Sequence, residues 1–210
     1  MSDSKLAPEN TTKKETGITS QRLNLILAIC AILISAASFY ATYLQASAAE
    51  KQVKAMTLPL IQFSTGNYVE TSKETIITLT LHNAGVGPAL IKDLKFKYKN
   101  KEYRYIETLL AACCEKEYQQ YKKSIKNSED IKIDDGGYST QVVLNTIIPG
   151  QKEVKFYQLY PGERSNVLWH KFNNERLLLQ MKVCYCSLLD NCYLTEKNGV
   201  VESVQSCPAQ

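Results

Sequence analysis

From Leu23 to Tyr43 the chain carries no charged side chain (LNLILAICAILISAASFYATY), and Asn24 is the only amide in that run. A helix needs about 20 mainly apolar residues to cross a bilayer, and this stretch has that length. Ala46-Ser47-Ala48 resembles a signal-peptidase site, but the apolar core of a cleaved signal is usually about 7–15 residues long. An uncleaved signal-anchor at residues 23–43 is therefore preferred. Phe39, Tyr40 and Tyr43 gather at its far end, where aromatic rings favour the headgroup layer.

Residues 1–22 are polar and read as a disordered cytoplasmic tail. Lys5, Lys13, Lys14 and Arg22 lie on that side, against Lys51 and Lys54 just beyond the helix. The excess of positive charge points the N-terminus inward and places the body outside the cytoplasm. The sequon Asn10-Thr11-Thr12 falls in the cytoplasmic tail, so a glycosylated ectodomain is not indicated. A lysine-rich, singly anchored domain of this kind fits the inner membrane of a bacterium, with its body periplasmic. Within the span, Ala31, Ser35, Ser38 and Thr42 form a stripe of small residues along which a second helix could approach closely.

Residues 44–57 continue as a juxtamembrane stalk helix, supported by Glu50 four residues before Lys54. Pro59 ends it, because the residue before a proline avoids helical geometry. The period then changes. Leu60–Ser64 and Thr75–Leu81 read as strands, and Leu94, Phe96 and Tyr98 alternate with Lys95, Lys97 and Lys99. Between strands, Asn83, Gly85, Gly87 and Pro88 mark a structural corner. Gly85-x-Gly87 lacks the third glycine and the lysine of a phosphate loop. Residues 103–126 take helical spacing, with Ile106, Leu110, Cys114, Tyr118, Tyr121 and Ile125 on one stripe. Asn127–Gly137 reads as a loop. Further strands are expected at Thr140–Ile147, Glu153–Leu159, Leu177–Cys186 and Cys192–Thr195.

This pattern predicts a mainly β body over residues 58–210: an antiparallel β-sandwich carrying one inserted amphipathic helix. The order of membrane helix, stalk, Pro59, Asn83-x-Gly85-x-Gly87-Pro88-Ala89 and late Cys184-Tyr185-Cys186-Ser187 resembles a loose group of uncharacterised bacterial single-pass membrane proteins. The resemblance implies an extracytoplasmic immunoglobulin-like sandwich and no particular activity.

Seven cysteines are many for this length. Cys30 lies inside the apolar run, where a thiol behaves as a small hydrophobe. Cys113, Cys114, Cys184, Cys186, Cys192 and Cys207 read as disulfide partners in an oxidising compartment. A bond between the neighbours Cys113 and Cys114 is set aside as strained. Cys186–Cys192 is expected to close a hairpin, with the helix cysteines tied to Cys184 and Cys207. In a reducing compartment the same thiols, with His82 or His170, would instead offer a metal or redox site. Cys184-x-Cys186 is an imperfect zinc pattern, and no C-x-x-C redox motif occurs.

Basic and acidic residues nearly balance, 25 against 21, which leaves no footprint for nucleic acid. The two histidines lie in no catalytic signature. Asp134-Asp135-Gly136-Gly137 lacks the alternating ligands of a calcium loop, and Glu129 and Asp130 read as solvated loop. The chain is thus expected to be a non-catalytic binding or assembly module without cofactor. Its expected partners are the bilayer and an envelope protein or a second copy of itself, and its small-molecule ligand is left open. The alternative is a cytoplasm-facing thiol or metal-binding membrane protein.

Overall fold

A computed structural model describes residues 19–70, 73–126, 135–196 and 199–208. The expectations for the cytoplasmic tail up to residue 18, its sequon, Glu129, Asp130 and Asp134 lie outside these residues. Two compact units are present, Met1–Lys51 and Gln52–Gln210.

The first unit contains most of helix α1 (Ser20–Met56), which has no buried residue. Among the described residues it is the one helix long and apolar enough to cross a membrane. Its 37 residues rise about 55 Å, whereas the hydrocarbon core of a bilayer is about 30 Å thick. The residues expected as span and stalk thus form one unbroken helix. Ala31, Ser35, Ser38 and Thr42 are exposed along it, and the Thr42 hydroxyl donates to the Ser38 carbonyl at 2.8 Å.

The second unit contains two antiparallel sheets. Strands β1 (Ile61–Gly66), β2 (Ile77–Asn83), β5 (Tyr138–Thr140) and β7 (Glu153–Leu159) form one sheet in the order β1-β2-β7-β5. The other joins β3 (Ala89–Tyr98), β4 (Lys101–Tyr103), β8 (Gln180–Cys186), β9 (Cys192–Glu196) and β10 (Val200–Val204) in the order β10-β9-β8-β3-β4. The short β6 (Ile147–Ile148) pairs with β3. Alternation decides the faces. Leu94, Phe96 and Tyr98 are buried, while Lys95 and Lys97 pair with Glu102 at 3.1 Å and Glu196 at 3.3 Å. Nearby carboxylates thus neutralise the lysine stripe. Residues of both sheets share one core, where Phe96 of β3 meets Phe156 of β7 with ring centroids 6.1 Å apart.

Helix is more abundant than a mainly β reading expects, and the fold is mixed α/β. The single helix expected over 103–126 is two, α2 (Ile106–Cys113) and α3 (Glu115–Lys126). Its start is displaced because Lys101–Tyr103 pairs with β3. Its break is at Cys114, with φ −145° and ψ 41°. The stripe itself holds across the break: Ile106, Leu110, Cys114, Tyr118 and Tyr121 are buried and Ile125 packs against them. A further helix, α4 (Asn166–Glu175), buries Leu168, Trp169 and Phe172. The strand expected from Leu177 begins at Gln180, since Arg176–Leu178 forms a 3-10 turn leaving α4. Thr140–Ile147 is mostly irregular backbone between β5 and β6.

Candidate thiol site

Strand β8 positions the sulfurs. Side chains two apart share a face, so Cys184 and Cys186 point together away from Tyr185. Tyr185 faces inward, where its hydroxyl accepts from the Ile61 amide at 3.2 Å and from the Thr195 hydroxyl at 3.3 Å. The β8–β9 register sets Cys186 opposite Cys192. The intervening turn is tied by Ser187, whose amide donates to the Asn191 carbonyl at 2.8 Å. Its hydroxyl accepts from the amides of Leu189 and Asn191 at 3.2 and 3.3 Å. Asp190 takes a φ of 58° there, a conformation that Asp tolerates better than most residues. Cys186 and Cys192 are bonded. Strand β10 returns along β9, and the segment after it brings Cys207 to Cys184, the second bond of the group.

The two disulfides adjoin. Cys186 Sγ lies 3.9 Å from Cys207 Sγ, and the sulfurs of Cys186, Cys192 and Cys207 all lie within 4.8 Å of one another. Cys184, Cys186 and Cys192 are buried, whereas Cys207 is half-buried. A cavity of about 430 Å³ borders the group, lined by Lys92, Asn145, Asp190, Ser206 and Pro208 besides the sulfurs. Attack by a thiolate on a disulfide needs access to one sulfur, and this opening supplies it at Cys207.

The remaining sequence candidates fall elsewhere. Cys113 and Cys114 are bonded to each other, contrary to the expectation that they would reach Cys184 and Cys207. Adjacent side chains on a helix project about 100° apart, so the pairing goes with the departure of Cys114 from helical geometry. Cys30 is a free cysteine on α1. His82 lies on β2 and His170 on α4 beside the Trp169 ring; neither belongs to the three-sulfur group.

Asn83 is fully buried in the corner between β2 and β3. Its Oδ1 accepts from the amides of Leu60 at 3.0 Å and Gly85 at 3.1 Å. Its Nδ2 donates to the carbonyls of Gly87, Ile148 and Pro149 at 2.8, 3.1 and 3.2 Å. Gly85 and Gly87 pass so close to the backbone of Thr57–Leu60 that a β-carbon at either would collide with it. Pro88 leads directly into β3. Close backbone packing and the Asn83 hydrogen bonds thus build this corner. No protein-family model matches the chain, and no curated protein matches it significantly.

Proposed function

We propose that the chain is a single-pass membrane protein whose body, an immunoglobulin-like sandwich elaborated by helices, is a binding module locked by a thiol–disulfide site. In this reading it resides in the inner membrane of a bacterium, N-terminus cytoplasmic and body extracytoplasmic, where disulfides persist. It engages an envelope protein or a second copy of itself, carries no cofactor and turns over no substrate. The observation that carries the thiol site is the 3.9 Å separation between sulfurs of two different disulfides.

A thiolate of an external dithiol attacks Cys207 Sγ, forming a mixed disulfide and releasing Cys184 as thiolate. The second thiol of the reductant then displaces Cys207, and the reductant leaves as its own disulfide. Two electrons now rest on Cys184 and Cys207. The Cys207 thiolate attacks Cys186 Sγ; a Cys186–Cys207 bond forms and Cys192 leaves as thiolate. The hairpin bond has been exchanged for one to the C-terminal segment.

Partial reduction of the full chain in detergent, followed by thiol blocking and peptide mass mapping, tests this. The half-reduced protein is expected to contain a Cys186–Cys207 linkage. Finding only Cys184–Cys207 and Cys186–Cys192 at every stage would reduce the site to inert staples.

The same spacing favours a second reading. Tetrahedral zinc with Zn–S bonds of about 2.3 Å sets its sulfurs about 3.8 Å apart, close to the observed 3.9 Å. With the disulfides open, Cys186, Cys192 and Cys207 would supply three thiolates and Cys184 or water the fourth ligand, in a body facing the cytoplasm. A C-terminal reporter active only outside the cytoplasm would eliminate that reading.

A further inference from the structure

Arg176 is 8% exposed at the end of α4, yet its guanidinium has no carboxylate within salt-bridge distance among the described residues. Its Nε donates to Asn173 Oδ1 at 2.9 Å, and its Nη1 to the Thr65 carbonyl at 3.2 Å and the Thr65 hydroxyl at 3.4 Å. All three acceptors are neutral, and Nη2 has no partner among the described residues. The neighbouring Glu175 is committed elsewhere, to Lys171 at 2.8 Å and Tyr98 at 2.5 Å. Burial alone pulls the Arg176 pKa below its usual value, with no acid acting against it. Buried charges in folded proteins are ordinarily paired, because an isolated one loses its hydration without compensation.

The missing counter-charge has a place to sit. Arg176 lines a cavity of about 360 Å³ together with Gln62, Phe63, Thr65, Gln180 and Thr195. That volume falls within the range of small-ligand sites, about 300–1,000 Å³. Strand β1 is an edge of its sheet. The Leu60 carbonyl faces β2, accepting from Ala84, whereas the Ile61 amide and the Thr65 carbonyl turn the other way, to Tyr185 and Arg176. By the two-residue period of a strand, the N–H and C=O of Phe63 also face away from β2, on the open edge.

We propose that this cleft binds a carboxylate against Arg176, with the ligand's polar groups along the Phe63 edge of β1. The assignment deepens the binding-module reading and does not depend on the thiol exchange. The carboxylate belongs either to a chain terminus or to a free organic acid.

Isothermal titration calorimetry on the full chain in detergent separates the possibilities. A short peptide of neutral residues is titrated as its C-terminal acid and as its amide, with succinate as the free acid. Binding of the peptide acid, weakened about tenfold or more in the amide, assigns a chain terminus; binding of succinate alone assigns a free acid. Thr65→Asp sets a carboxylate beside the guanidinium and is expected to raise the melting temperature while abolishing binding. Arg176→Gln is likewise expected to abolish binding, and Thr65→Asp keeps the test valid if that variant fails to fold. Equal binding of acid and amide, binding of neither peptide acid nor succinate, or unchanged binding in Thr65→Asp would overturn the assignment. Crosslinking that still recovers a partner in any of those cases would show the module reading to stand without it.

Discussion

Replacing Asn83 by alanine isolates a fully buried polar junction of the body. The side chain is fully buried and joins the start of β1, the corner after β2 and the entry to β6 through five contacts. Two of those serve the amides of Leu60 and Gly85, which have no other acceptor among the described residues. A buried donor left without a partner costs about 1–3 kcal/mol. With some loss from the orphaned carbonyls, Asn83→Ala should destabilise the body by about 3–5 kcal/mol, a large part of the roughly 5–15 kcal/mol by which domains are stable. At a slope of about 2 kcal/mol per molar urea, the midpoint falls by about 1.5–2.5 M. The single tryptophan, Trp169, is buried in the core and its fluorescence reports the transition. Asn83→Asp sharpens the test, because it keeps the acceptor for Leu60 and Gly85 but turns an oxygen toward three carbonyls. Its carboxyl should titrate above the unfolded value of about 3.9. Its stability is then retained below that pH, where the neutral acid donates one hydrogen bond, and falls as pH rises toward the folded pKa. A midpoint shift in Asn83→Ala below about 0.5 M, or an Asn83→Asp protein indifferent to pH between 3 and 7, would refute the reasoning.

Two further outcomes follow from titratable groups. Glu175 is held below its ordinary pKa of 4.5 by hydrogen bonds from Lys171 and then Tyr98. Its contribution is therefore present above pH 4.5 and lost as pH falls through the folded value, so Glu175→Gln should cost about 1 kcal/mol at pH 7 and nothing in strong acid, as read by urea melts across that range. Tyr121 is pushed up from 10.0 to about 12, by burial first and then by Tyr138 and Tyr118. The unfolded phenol ionises first, so stability should begin to fall near pH 10 and lose on the order of 2 kcal/mol by pH 12; Tyr121→Phe should flatten that part of an alkaline stability profile.

How legible the structure was in the sequence depended on whether a signal was periodic and local. The apolar run is legible from length alone, and the alternation of Leu94, Phe96 and Tyr98 and the stripe from Ile106 to Tyr121 are patterns that one face of one element imposes, with those residues in the buried core. The α2–α3 break was hidden because the stripe runs straight through it, with Cys114 itself on the buried face. Helix α4 has a usable signal, Leu168, Trp169 and Phe172 at helical spacing after Ser165, but it is short and is outweighed by the longer apolar run from Leu177 that reads as strand. Cysteine pairing turned on register. The opposition of Cys186 and Cys192 follows from a short hairpin, whereas the approach of Cys207 to Cys184 requires β10, which lacks a marked alternation. Arg176 had no signal at all. Its meaning comes from having no carboxylate within salt-bridge distance among the described residues, and a sequence of 25 basic and 21 acidic residues does not say which of them meet.

The geometry of strand β8 is compatible with both the proposed thiol exchange and the proposed carboxylate cleft. Its odd positions Met181, Val183 and Tyr185 face the shared core, and its even positions Cys184 and Cys186 face the other way. The proposed exchange among Cys184, Cys186, Cys192 and Cys207 would thus rearrange bonds on one face without removing an apolar side chain from the other. What it changes is the tether on the C-terminal segment. The Cys184–Cys207 bond closes a loop with a sequence separation of 23, and the Cys186–Cys192 bond one of 6. Restricting the unfolded chain with loops of those sizes is worth about 3.4 and 2.2 kcal/mol respectively. Reduction therefore weakens the body by an amount comparable with the loss of Asn83, but by a different route. It acts on the unfolded chain and the terminal strand, whereas Asn83→Ala leaves native donors without acceptors. Tyr185 links the two faces: flanked by both cysteines, it holds the Ile61 amide of β1 and the Thr195 hydroxyl of β9. Ile61 begins the edge strand that borders the Arg176 cleft, so Tyr185 ties that edge to β8, an interior strand of the other sheet.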